Sequence, residues 1–185
     1  MLLKTAVLSE HVKNKFKDYL KEGYRVAEIY NGTREEILTA LSEIVGITGT
    51  VYGIDKFNPF NNIEHMRNLQ SVKNIRLIQS EIPPIPLEAM NLDAIISREF
   101  LWTYQHIYEP SHKIPFKLKE NPEVYSSIND ALKNQGLLLI HLNEVEQEYE
   151  QNNNYPVYQN TIHRNLPNFQ KIYHVEDLMI YQKLA

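Results

Sequence analysis

An α/β protein with a mostly parallel sheet is the fold this sequence predicts, and three observations predict it. Short strand-like runs alternate with stretches of helical periodicity from Tyr24 to about Leu142. The segment VAEIYNGTREEILTALSEIVGITGTVYGID, Val26 to Asp55, has the layout of a nucleotide-binding strand, turn, helix and strand. Near the C-terminus, FQKIYHVEDLMIYQKL holds two strand-like runs joined by HVED, a link too short for a helical crossover. Those runs form a hairpin, so at least one strand is antiparallel.

Each element has its own signal. Val7, Leu8, Val12, Phe16, Tyr19 and Leu20 recur at helical spacing and predict an amphipathic helix over 6–21, closed by Gly23. Tyr24 to Tyr30 reads as the first strand. Thr33 is an N-cap with Glu36 three residues on, and Ile37, Leu38, Leu41, Ile44 and Val45 give the next helix its apolar face up to Gly46 and Gly49. TVYGID is the second strand, NNIEHMRNLQ a short helix, NIRLIQ the third strand and LDAIIS the fourth. NPEVYSSINDALKN is a helix with Pro122 in its first turn, and GLLLIHL a strand apolar enough for the sheet centre. The polar NEVEQEYEQNNNYP and the aperiodic TYQHIYEPSHKIPFKLKENP read as lids or partner surfaces.

A chain of 185 residues suits one domain, 1–185, that buries roughly 70% of its unfolded surface. With 19 basic and 23 acidic side chains and a net charge of -4, it lacks the basic excess of a general nucleic-acid or anionic-membrane binder. The absence of cysteine excludes disulfides, thiolate zinc sites and cysteine nucleophiles, and suits a reducing compartment. Charges interrupt the apolar residues of the N-terminus before a signal-peptide core or membrane span forms, so a cytoplasmic location is expected. His106 and His112 with Glu109, and His141 with Glu144, lack a third ligand at a recognisable spacing, and no metal is expected.

Nucleotide sites of this layout lie at the carboxyl ends of the strands, where glycines allow a tight turn and close approach to the ligand. Here the turn is EIYNGTRE, and Gly32 is its one glycine. Asp55, ending the second strand, is placed either to accept hydrogen bonds from ribose hydroxyls or to cap the strand end.

From about Tyr24 onward the chain resembles the class I S-adenosylmethionine-dependent methyltransferases. The family's acidic-x-Gly-x-Gly-x-Gly motif falls on Glu28, Tyr30, Gly32 and Arg34, and GTVYGIDKF is similar to the second motif, implying Asp55 on the ribose and Phe57 near the adenine. LIQSEI, LDAIISREFLWTY and ALKNQGLLLIHL resemble the next three, implying Glu81 at the adenine amino group and Ser97 at the cofactor. The resemblance implies a Rossmann-like three-layer sandwich with a mostly parallel seven-stranded sheet and an antiparallel C-terminal hairpin strand. It also implies S-adenosylmethionine as cofactor and methyl transfer to a small-molecule or protein acceptor.

Tyr30 and Arg34 stand where the family has glycines. A Tyr30 ring projecting into the pocket fills cofactor volume, whereas one turned under the sheet is core. Arg34 either pairs with the cofactor's carboxylate or is solvated beside Glu35 and Glu36. A closed site makes the chain a non-catalytic interaction module or homodimer. A nicotinamide-dependent dehydrogenase ranks lower, since Gly-x-Gly-x-x-Gly is missing. The Asn-Pro-Pro-Tyr type motif of amino methyltransferases is absent as well. For a base acting on a hydroxyl, Glu99, His106 and His141 are the candidates, with a surface role the alternative for His106.

Overall fold

In the computed structural model, which describes residues 10–29, 35–56, 71–98, 122–142, 157–175 and 177–185, the chain runs α1 (Glu10–Tyr19), β1 (Arg25–Ile29), α2 (Glu35–Val45), β2 (Thr50–Asp55) and β3 (Ile75–Gln79). Then come β4 (Leu92–Arg98), α3 (Pro122–Ala131), β5 (Leu132–His141), α4 (Val157–Asn165), β6 (Phe169–Val175) and β7 (Leu178–Lys183). The seven strands form one sheet in the order β3-β2-β1-β4-β5-β7-β6. Strands β1 to β5 pair in parallel. β7 is antiparallel to both β5 and β6. The expected hairpin is therefore β6–β7, and it returns the chain to fill the place beside β5.

Side-chain alternation divides the interior into two cores. Val26, Val51, Ala94, Ile96, Leu139 and Ile180 face Val12, Phe16 and Leu20 of the α1 segment and Ile37, Leu41 and Val45 of α2. On the other face Ala27, Ile29, Ile54, Ile95, Leu138 and Met179 share a cluster with Val124 and Ile128 of α3 and Ile162 of α4. Helices on both faces explain why β1 and β2 are buried almost from end to end rather than alternating.

The end of α2 is closed by polar contacts. Gly46 has φ 64°, the left-handed conformation that ends helices and favours glycine. Asn74 Nδ2 donates to the Gly46 carbonyl at 2.8 Å and the Ser42 carbonyl at 3.2 Å, and its oxygen accepts from Ser42 Oγ at 2.6 Å. Gly49 then passes so close to the helix that a Cβ there would lie 2.6 Å from Val45 Cβ and 2.7 Å from the Tyr24 carbonyl oxygen. Gly49→Ala is expected to cost about 1–3 kcal/mol, the range for forcing a methyl into a filled core. A fall in the urea midpoint checks it.

The elements depart from the sequence expectations at two boundaries and in one added helix. Helix α3 stops at Ala131 and β5 begins at Leu132, four residues before the expected strand. Leu132 pairs with Leu92 before the register jumps to Leu137 beside Ala94. Lys183 Nζ, from the end of β7, donates to the Asn129 and Leu132 carbonyls at 2.8 and 3.0 Å, which satisfies that abrupt helix end. Helix α4 was not anticipated, because only Thr161 and Ile162 are buried within it where side chains are described. The α1 helix ends at Tyr19, two residues before the expected end, while residues 6–9 of the expected helix lie outside the described residues. The expected helix at 61–70 and both irregular loops, apart from Pro122 at the end of one of them, lie outside the described residues.

Candidate functional site

Strand order reverses between β1 and β4: β2 and β3 follow on one side of β1, and β4 and β5 continue on the other. In open α/β sheets such a reversal is where ligands are held, beyond the carboxyl ends of the strands.

The polar residues buried at that end come from four neighbouring strands. Glu28 is fully buried, and Asp55, Ser97 and His141 are 4%, 1% and 5% exposed. Glu28 lies level with Gly53 of β2 and Ile96 of β4, so the neighbour on one side brings no side chain to compete for the space. Asp55 closes β2, its carbonyl accepting the Ser80 amide at 2.9 Å. The strand alternation puts Glu28, Asp55 and His141 on the α1–α2 face, with Val26, Val51 and Leu139. Ser97 falls on the other, level with Ile29 and Ile140. Its Oγ has no hydrogen-bond partner among the described residues.

Glu81 is exposed just beyond β3, its carbonyl accepting from Ser80 Oγ at 3.2 Å. Tyr30, Gly32, Arg34, Phe57, Glu99 and His106 lie outside the described residues. Among the described residues no group of three or more His, Asp or Glu is gathered to hold a metal ion. No described helix is long and apolar enough to cross a membrane.

One residue at this end escaped the sequence analysis. Asp177, in the β6–β7 turn, has Oδ2 3.3 Å from His141 Nε2. The antiparallel register sets them together, since His141 is level with Leu178 and the Leu142 amide donates to the Asp177 carbonyl at 2.7 Å. The HVED turn was the available signal: a carboxylate beside a hairpin turn reaches the strand end that its partner strand meets. A cleft of about 400 Å³ opens at the opposite, amino end of the sheet, lined among others by Tyr19, Lys21, Tyr24, Lys133 and Ile172. Lys133 there is paired with Asp93 at 2.7 Å, and the cleft lies away from the carboxyl ends of β1, β2 and β4.

No protein-family model and no curated protein sequence matches the chain. Solved structures do. A SAM-dependent methyltransferase from Aquifex aeolicus matches with a TM-score of 0.66 at 20% identity, over 94% of this chain and 89% of that one. The chain has the class I methyltransferase fold. Other structures with this methyltransferase fold include a SAM-dependent O-methyltransferase from Thermotoga maritima, with a TM-score of 0.60 at 12% identity over 100% of this chain and 69% of that one. Fibrillarin from Aeropyrum pernix, solved with natively bound S-adenosyl-L-methionine, gives 0.58 at 16% identity over 90% and 68%. The methyltransferase fold accounts for the strand order and for β7 running against its neighbours.

Proposed function

We propose that this chain is an S-adenosylmethionine-dependent methyltransferase acting on a small-molecule or protein acceptor. The observation that carries the reading is the burial of Glu28, Asp55 and Ser97 toward the carboxyl ends of β1, β2 and β4, where the strand order reverses. Two buried carboxylates, together with the Ser97 hydroxyl that has no partner among the described residues, suit a ligand that brings hydroxyls and positive charge. S-adenosylmethionine has both, in its ribose, its ammonium and its sulfonium.

In this reading Asp55 accepts hydrogen bonds from the ribose hydroxyls and Ser97 Oγ finds its partner in the bound ligand. Glu28 supplies the negative charge at the end of β1. Gly32, between Tyr30 and Arg34, gives the turn over which the ligand passes. Phe57 and Glu81 belong to the adenine end. The cofactor supplies an activated methyl group, and the protein contributes alignment of the acceptor behind it and exclusion of water.

Tyr30 and Arg34 favour a second reading, a methyltransferase fold with a closed or weakened site that serves as an interaction module or homodimer. Calorimetric titration with S-adenosylhomocysteine separates the two. The wild-type protein is expected to bind more weakly than the Y30G/R34G double variant, because glycine restores close backbone approach. Saturable binding by the wild-type protein supports the methyltransferase reading, whereas no wild-type binding, whether or not the double variant binds, would leave the non-catalytic one. Tight wild-type binding that the double substitution weakens would make Tyr30 and Arg34 ligand contacts.

A further inference from the structure

We infer that His141, oriented by Asp177, is the base that removes the acceptor's proton, and that the acceptor is a hydroxyl of phenolic acidity. The inference rests on the methyltransferase reading above.

A carboxylate only accepts hydrogen bonds, so the 3.3 Å contact between Asp177 Oδ2 and His141 Nε2 places the ring proton on Nε2. In the neutral ring the lone pair is then on Nδ1, and Asp177 also stabilises the imidazolium that forms when Nδ1 takes up a proton. Nδ1 is buried and has no hydrogen-bond partner among the described residues. A histidine serving the core alone normally satisfies both nitrogens, since a buried polar atom left without a partner is destabilising. A hydroxyl on a bound acceptor is the group that would complete it.

The pair is rigidly held. His141 is level with Leu178, and the Leu142 amide donates to the Asp177 carbonyl, so backbone hydrogen bonds fix both ends of the contact. It also stands in the right place. Asp55 and His141 lie on the same face with β1 and β4 between their strands, a separation of roughly 14 Å at about 4.8 Å per strand. That span accommodates the ribose-to-methyl end of a cofactor seated at Asp55 with an acceptor ring beside His141.

The acidity follows from proton matching. An imidazole in a model peptide titrates near about 6.5 and a phenol near about 10, while water and the aliphatic alcohols that resemble it hold their protons far more tightly. Only the phenol is within practical reach of such a base. An ammonium loses its proton in the same range, but it approaches the cofactor's sulfonium as a like charge, whereas a phenolate is attracted. In the step, the hydroxyl proton passes to Nδ1. The oxygen's electron pair forms the new carbon–oxygen bond while the carbon–sulfur bond breaks with its pair on sulfur. The imidazolium then returns its proton to solvent, leaving a methyl ether and a neutral thioether.

The test combines transfer with a readout that needs no turnover. Wild-type protein, ¹⁵N-labelled at histidine, is expected to show His141 protonated at Nε2 and unprotonated at Nδ1, and Asp177→Asn to mix the tautomers. With methyl-labelled S-adenosylmethionine and a panel of phenol, catechol, benzyl alcohol and benzylamine, transfer is expected on the phenolic hydroxyls, rising with pH through a single ionisation. His141→Gln should lower kcat about 100-fold or more with S-adenosylhomocysteine affinity unchanged. Asp177→Asn should lower kcat and displace the pH profile without raising KM. A proton on Nδ1, transfer confined to benzylamine, no transfer to any phenol by protein that binds S-adenosylhomocysteine, or an unchanged kcat in His141→Gln would each overturn the assignment. If His141→Gln does not fold, the wild-type tautomer decides. Failure to bind S-adenosylhomocysteine at all is a separate result, and it overturns the methyltransferase reading.

Discussion

Replacing Phe16 by Ala is expected to lower the unfolding free energy by about 3–5 kcal/mol, the range for deleting a buried aromatic ring. The ring is fully buried, and with Val12 and Leu20 it brings the α1 segment into the core that covers β1, β2 and β4 on one face. Small domains are stable by only about 5–15 kcal/mol, so this one change removes a large share of the total. Urea unfolding with tryptophan fluorescence would show the midpoint falling while the slope stays constant. A loss below about 1 kcal/mol would mean that the α1 helix merely rests on the sheet.

Asp55→Ala is expected to weaken S-adenosylhomocysteine binding by about 1.5–3 kcal/mol, or roughly 10- to 150-fold, as hydrogen bonds to a charged acceptor are lost. The side chain is buried at the end of β2, level with Gln79 of β3. Asp55→Asn, which keeps one acceptor oxygen and the side-chain volume, should fall between wild type and Ala. Thermal melting run in parallel separates a binding effect from a folding effect. Unchanged calorimetric affinity in a folded Asp55→Ala protein would remove Asp55 from the site.

How legible each element was depended on how local its cause is. TVYGID is β2 residue for residue, because its apolar run and the flanking Gly49 and Asp55 all lie within the segment. The β6–β7 hairpin was equally plain, since a four-residue link allows little else. Helix α4 was hidden because its buried anchors among the described side chains, Thr161 and Ile162, are adjacent and set no period. The early start of β5 was hidden for another reason: Leu132 is drawn into the sheet by Leu92, forty residues away in sequence. At the candidate site, Asp55 was legible because it ends its strand, a local fact, and Glu28 and Ser97 because the runs that hold them resemble the family's motifs. The pairing of His141 with Asp177 was not, because it exists only once β7 lies against β5.

The position of β7 also dictates an order of assembly. β7 follows β6 along the chain yet lies between β6 and β5, so β6 has no strand to join until β7 exists. The two must dock on β5 together, as a preformed ribbon, and such hairpins close within about 1–10 μs once both arms are available. During synthesis, at roughly 5–20 residues per second, several seconds separate the emergence of β5 from that of β7. Throughout that interval the apolar run Leu137–Ile140 is an open sheet edge, able to accept a strand from another nascent chain. That exposure of β5 ends when β7 pairs with it, and β6 becomes the outer strand in its place.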